Sequence, residues 1–528
     1  MKSPRSTCVL GALAVSVAAM LGGCASDSNE AESEDELTSL TARQRVLTFE
    51  GLVYVAKGAS DNTIAEAARA QARSAFGALL NEKVSVQSRE VGNVDTSSFR
   101  KRDVTVVDTD VPGDRGKGLL EVRYQYKDNA VIPVALARHT GLSLALLGPG
   151  AGAKVEDVIV ACTKNDTETR NDVRDGFLWY AFDAGRATCR RLMEREGRAI
   201  AAASAKLENA RTMVSRLQVE RVILPTTMAL ARAATATRAT YPEYDKLFGG
   251  GVDPNALVVS VIAGRVEHHH VEATKDLGYY EWISALDTIF KDHPEFTLTG
   301  IEPQENLTVA TVNDKRYADL TFQNVRDWTL RDKWPEGVRV ADRRLLAVKI
   351  AEKLDNHWLT FEKKVKVATG DAPPRDFTLR IQTLFGAEED PAPHKRAIKG
   401  SDVVLYAGHS YIGDGPLDPS NFRATSFPST YQLFFFNSCV SYNYYEKDFF
   451  TLKPGGSKTV DIITNGIEVI INDGGIASGR FLSRLLDGSM PSYQTLLEAA
   501  KSSDALRVVD GEVDNTFDPD RTKIRLSP

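Results

Sequence analysis

The chain has 528 residues, with 65 Lys and Arg against 71 Asp and Glu, 42% hydrophobic and 26% charged residues. That length allows two to four domains with sizeable cores. No basic block occurs anywhere, which argues against a nucleic-acid partner, and the composition is that of an ordinary globular protein.

At the N-terminus, Lys2 and Arg5 precede the apolar run "CVLGALAVSVAAML", too short to span a bilayer comfortably as a mature helix. It ends in Leu21-Gly22-Gly23-Cys24, which resembles the lipobox of bacterial lipoproteins. The resemblance implies a signal peptide over 1–23, cleavage before Cys24 and lipidation of its sulfur, hence an envelope protein held in a membrane by several acyl chains. Ala25-Ser26 lacks the Asp that retains some lipoproteins in the inner membrane, so the expected location is the outer membrane. A plain secretory signal is the other reading. Loss of Lys2 and Arg5 leaves a net charge of 63 − 71 = −8. Residues 27–36, "DSNEAESEDE", carry six acids and no base, and a flexible tether is expected over 24–44.

Three cysteines then remain: Cys162, Cys189 and Cys439. In an oxidising envelope one is left over. Cys162 and Cys189 lie 27 positions apart around "TKNDTETRNDVRD" and are the expected disulfide; Cys439, far away, is the expected free thiol.

Residues 45–150 read as a small α+β unit, with strands at "RVLTFEGLVYVA", "KGLLEVRYQYKD" and "GLSLALL" and a helix at "NTIAEAARAQARSAFGALLNE". "GPGAGA" marks a boundary, and 151–250 reads as helix-rich, above all 180–218. An α/β region over 251–370 opens with the strand "ALVVSVIAG" and the helix "GYYEWISALDTIFKD", then the expected strands "NLTVATV" and "YADLTFQNV". From 371 to 528 apolar strands alternate with helices, which predicts a parallel sheet of α/β class with chemistry at the carboxyl ends of its strands.

"DVVLYAGHSYIGDGP" (402–416) raises two chemistries. A serine elbow needs G-x-S-x-G, but Ile412 stands at the last position and Gly- and Pro-rich sequence follows. In that fold the catalytic His follows the serine, and His409 is the last histidine here, so Ser410 is not a nucleophile. The alternative pairs "VVLYAGHS" with "LFFFNSC": one apolar strand ends at His409, the next at Cys439. An imidazole base beside a thiol is sufficient for a cysteine nucleophile.

These two blocks resemble the clan of cysteine peptidases that includes caspases, legumain, clostripain and gingipains. The resemblance covers roughly 376–505. It implies a caspase-haemoglobinase-like domain of three αβα layers acting on peptide or protein substrates. His409 would be the general base, Cys439 the nucleophile, and the backbone N–H groups of Ser410 and Cys439 the oxyanion donors. The clan usually has Gly where Ser410 stands. A decayed, non-catalytic version that serves for binding is the second reading.

No cofactor is expected. "VEHHHVE" (266–272) would put His268 and His270 on one face of a strand, but nothing completes a tetrahedral set, and a solvated stretch is favoured. "DGEVDNTFDPD" (510–520) and "NDTETRND" are acidic enough for calcium yet lack EF-hand spacing. The aromatic run "YNYYEKDFF" after Cys439 lines a cleft or packs under the sheet.

Overall fold

The computed structural model describes residues 37–164, 167, 182–233, 240–267, 270–387, 390–469 and 471–528. Cys24, the signal segment and the acidic run lie outside them. None of the helices of the described residues is long and apolar enough to cross a membrane.

The first unit is one sheet built from β1 (Ala42–Ala56), β2 (Ser85–Val86), β3 (Val94–Val107), β4 (Lys117–Pro133), β5 (Gly141–Leu147), β6 (Met213–Ser215) and β7 (Ile223–Arg232). Its order is β5-β7-β1-β4-β3-β6, with β2 beside β4, so it draws strands from both sides of "GPGAGA". Among the described residues of 151–250, α-helix is found at Val155–Cys162, Ala187–Ser204, the short Arg216–Val219 and Tyr244–Gly250, and the helix expected through 218 gives way to β6. The helix expected over 62–82 forms as two, Asp61–Arg73 and Phe76–Asn81.

The second sheet begins with β8 (Ala256–Gly264) and continues with β9 (Thr297–Glu302). A separate hairpin, β10 (Ala310–Val312) and β11 (Lys315–Tyr317), stands in place of the expected strand "NLTVATV". "YADLTFQNV" is not a strand. Thr321 caps helix Phe322–Arg331, accepting from the Asn324 N–H while the Asn324 amide accepts from the Thr321 N–H. That reciprocal cap overrides the alternating pattern. There follow β12 (Trp358–Thr369), β13 (Arg375–Ala387), β14 (Val403–Gly408), β15 (Gln432–Ser438), β16 (Val460–Asn465), β17 (Arg507–Asp510) and β18 (Ile524–Ser527).

The order is β17-β16-β15-β14-β8-β13-β12-β18, with β9 also on β12. β13, β8, β14, β15 and β16 run parallel, so their carboxyl ends share one rim. β17, β12, β18 and β9 are antiparallel additions; the sheet is mixed rather than purely parallel. Every residue of β8, β15 and β16 is buried, the signature of strands covered on both faces.

Alternation divides these strands between two cores. Val259, Val261, Leu405, Leu433 and Phe435 face helices Leu277–Asp292 and Ile471–Leu486. Ile262, Val404, Tyr406, Phe434 and Phe436 face helix Ala392–Gly400 and merge with Leu47, Phe49 and Tyr126 of the first sheet in one continuous core. The tether expected through residue 44 ends sooner. Leu37–Thr41 lies along β17, with the Ser39 N–H donating to Arg507 O (2.9 Å) and the Val509 N–H to Leu37 O (2.9 Å).

Candidate functional site

The site is built where β14 and β15 end. Their parallel register pairs Gly408 with Ser438, so His409 and Cys439 are the next residues on neighbouring strands, both half-buried. Gly408 leaves no room for a side chain: a Cβ there would lie 2.7 Å from Tyr406 Oη and 3.2 Å from the Gly264 N. Tyr406 Oη donates to the His409 carbonyl at 2.8 Å, and Tyr445 Oη donates to the Ser410 carbonyl. The backbone of the 408–410 turn is thus fixed by two buried phenols.

The His409 ring is oriented from β8. Nε2 lies 2.7 Å from the Val266 carbonyl oxygen. A carbonyl only accepts, so Nε2 carries the proton and the neutral ring has Nδ1 as its basic nitrogen. Val266 is itself fastened, because the Asp276 carboxylate accepts from the N–H groups of Val266 (3.0 Å), Glu267 (3.1 Å) and Gly278 (2.8 Å). One aspartate therefore both caps helix Leu277–Asp292 and sets the loop that holds the imidazole.

Burial pushes the Cys439 thiol above its ordinary value; the Val469 N–H, which hydrogen-bonds the sulfur, pulls the other way, and the Glu468 and Glu281 carboxylates add to the rise. The Cys439 N–H, an oxyanion donor by the resemblance, also lies against its own sulfur. Below the thiol, Asn437 Nδ2 donates to Ser478 Oγ (3.0 Å) and Gly474 O (3.3 Å), while Asn465 Nδ2 donates to Asn437 Oδ1 (3.0 Å) and Ser438 O (3.2 Å). Beyond it, Val440 adopts a left-handed φ of 50°, uncommon for a β-branched residue. Ser441 Oγ closes that turn, donating to Phe436 O (2.7 Å) and accepting from the Asn465 N–H (2.8 Å).

Glu281 sits on helix Leu277–Asp292 at 6% exposure. Among the described residues its carboxyl makes no hydrogen bond or ion pair, and burial pushes it up to about 8. It occupies the space above Gly474, where a Cβ would collide with it.

The remaining expected sites are placed as follows. Cys162 and Cys189 form a disulfide, and Cys439 is a free thiol. His268 lies outside the described residues, His270 is exposed, and no group of three ligand-type side chains able to hold a metal occurs among the described residues. Most of "NDTETRND" lies outside the described residues. "DGEVDNTFDPD" is not a solvated loop throughout: Asn515 Nδ2 donates to Tyr241 O (2.8 Å) and Asp461 (2.5 Å), and Glu512 is 8% exposed. Tyr442, Tyr444, Tyr445 and Phe449 pack in the core. Sequence reasoning missed Val266, Val469 and Glu281. The first two act through backbone atoms and carry no side-chain signal; the third looks like any acid on an amphipathic helix.

Comparison with family models, characterised proteins and solved structures finds no match to this chain.

Proposed function

We propose that the chain is a lipid-anchored envelope protein whose C-terminal domain is a caspase-like cysteine endopeptidase. The observation that carries the reading is the β14–β15 register, which makes His409, its ring oriented by the Val266 carbonyl, and Cys439 the next residues on neighbouring parallel strands at the carboxyl rim. The strand order β13-β8-β14-β15 agrees with a base and nucleophile on adjacent strands. In this mechanism His409 Nδ1 takes the Cys439 proton as sulfur attacks the scissile carbonyl carbon. Imidazolium then protonates the leaving amine, and a thioester remains for water to hydrolyse with the same imidazole as base. The Ser410 and Cys439 N–H groups are the proposed donors to the oxyanion. Anchoring rests on the Cys24 lipobox alone; a Cys24→Ser chain should leave the detergent phase on partitioning.

A non-catalytic binding protein is the second reading, favoured by a thiol that burial, with the Glu468 carboxylate adding to it, pushes toward its protonated form. Cleavage of a fluorogenic peptide mixture by the full chain separates the two. The peptidase reading expects hydrolysis that Cys439→Ala abolishes and His409→Ala lowers by roughly 10²–10⁴-fold. Hydrolysis that survives Cys439→Ala, or none by the intact chain, sinks it.

A further inference from the structure

Among the described residues, one short segment of the first unit reaches both the loop that follows His409 and the loop that follows Cys439. Ser85 and Val86 are paired with Val131 and Ala130 of β4, and the Gln87 N–H donates to Asn129 O at 2.9 Å. The Ser88 N–H donates to Asp128 Oδ2 (2.9 Å), which also accepts from Tyr126 Oη (2.6 Å). Val91, fully buried, is held at a left-handed φ of 56°. A β-branched residue persists in that region only where its surroundings over-determine it. The segment is therefore anchored on its own sheet.

Its outer face holds two targets. Arg89 Nη2 donates to the Gly413 carbonyl (3.0 Å) and to Asp414 Oδ1 (2.6 Å), and Nη1 lies 3.7 Å from Asp418. All three belong to the loop that leaves His409. Asn443, on the short helix just past Cys439, donates from Nδ2 to Val86 O (3.1 Å) and Ser88 O (2.7 Å). Gln87 Nε2 donates to Glu446 Oε1 at 2.5 Å. Within the second unit the same two loops meet through Tyr445 and the Ser410 carbonyl.

We propose that residues 85–91 are a fixed clasp that sets the position of the His409 loop against the Cys439 loop, with Arg89 and Asn443 as positioning residues. The inference rests on the peptidase reading for its consequence in hydrolysis, but not for its effect on the thiol. The first unit is then a working part of the site and not a removable pro-segment. Arg89 is well placed for a clean test, because it is partly exposed and its loss leaves both cores intact. Exposed ion pairs carry little global stability, so a change at the thiol reports geometry.

The experiment compares the full chain with Arg89→Ala, Arg89→Lys, Asn443→Ser and, as a control on the same unit, Arg100→Ala, whose ion pair with Glu50 is exposed. Two rates are read: alkylation of Cys439 by iodoacetamide at about pH 8, and peptide hydrolysis. Loosening the clasp should speed alkylation while slowing kcat by roughly 10- to 100-fold with little change in KM. Arg89→Lys should recover part of both, and Arg100→Ala should change neither. Opposite movement of the two rates is a signature that general destabilisation of a still-folded chain does not give. Alkylation unchanged or slower in both Arg89→Ala and Asn443→Ser overturns the clasp. If the wild type hydrolyses nothing, the peptidase reading fails, and the alkylation rates still decide the clasp.

Discussion

At the scale of single residues, Glu281 is the group whose behaviour departs furthest from its appearance in the sequence. Its folded carboxyl keeps its proton to about 8, against 4.5 in the unfolded chain. Between those values the folded state binds the extra proton, so its contribution to stability falls as pH rises through that window and stays low above it. Glu281→Gln removes the titration and keeps the shape. The variant should match the wild type to within about 1 kcal/mol near pH 4.5 and exceed it by roughly 3–5 kcal/mol at pH 9. Urea unfolding of both chains at the two pH values checks this; parallel pH slopes would rule out a desolvated carboxyl. Ionisation of Glu281 also places a negative charge near the thiol, in the direction that opposes thiolate formation.

At the scale of elements, what could be read from the sequence depended on how many faces are buried. β14 and β15 are apolar on both faces, so "VVLYAG" and "QLFFFNS" announce themselves as strands, and their ends mark His409 and Cys439. In the sequence, helix Phe322–Arg331 reads as part of a strand, because a buried face of Phe322, Val325 and Trp328 is mixed with polar residues that mimic alternation; its Thr321–Asn324 cap is the signal that such a reading passes over. The groups that contact the His409 ring and the Cys439 sulfur were not legible. A carbonyl at Val266 and an N–H at Val469 have no sequence signature, and they reach the site only because β8 and β16 end at the same rim. The Cys162–Cys189 pairing was legible from count and spacing, and it links helix Val155–Cys162 to helix Ala187–Ser204. Closing a loop with a sequence separation of 27 is worth roughly 3–4 kcal/mol through the unfolded chain. The double variant Cys162→Ala, Cys189→Ala should lose about that much in urea unfolding, and an unchanged midpoint would show that the link constrains nothing.

At the scale of the whole molecule, the domain boundaries suggested by composition do not coincide with the boundaries of packing. Leu47 and Phe49 of the first sheet belong to the same apolar core as Phe434 and Phe436 of the second. Leu37, at the head of the first unit, is buried in the opposite core. Leu37–Thr41 is hydrogen-bonded along β17 before the chain enters β1, and Gly466 at the end of β16 approaches the Val131 side chain so closely that a Cβ there would clash. Surface shared in this way makes each unit's burial conditional on the other, so the two should unfold together even though each has its own sheet. Phe49→Ala tests the coupling. Phe49 is 2% exposed and stacked on Tyr126 at 4.7 Å, within the first sheet, and its truncation should cost about 3–5 kcal/mol. Trp282, Trp328, Trp334 and Trp358 all lie in the second unit, so in a Trp179→Phe background tryptophan fluorescence reads that unit alone. In one cooperative body the fluorescence midpoint in guanidinium falls with Phe49→Ala as far as the circular-dichroism midpoint does. A fluorescence midpoint that stays put while the first sheet melts early would separate the units, and would leave the clasp on the His409 and Cys439 loops a contact between independent bodies.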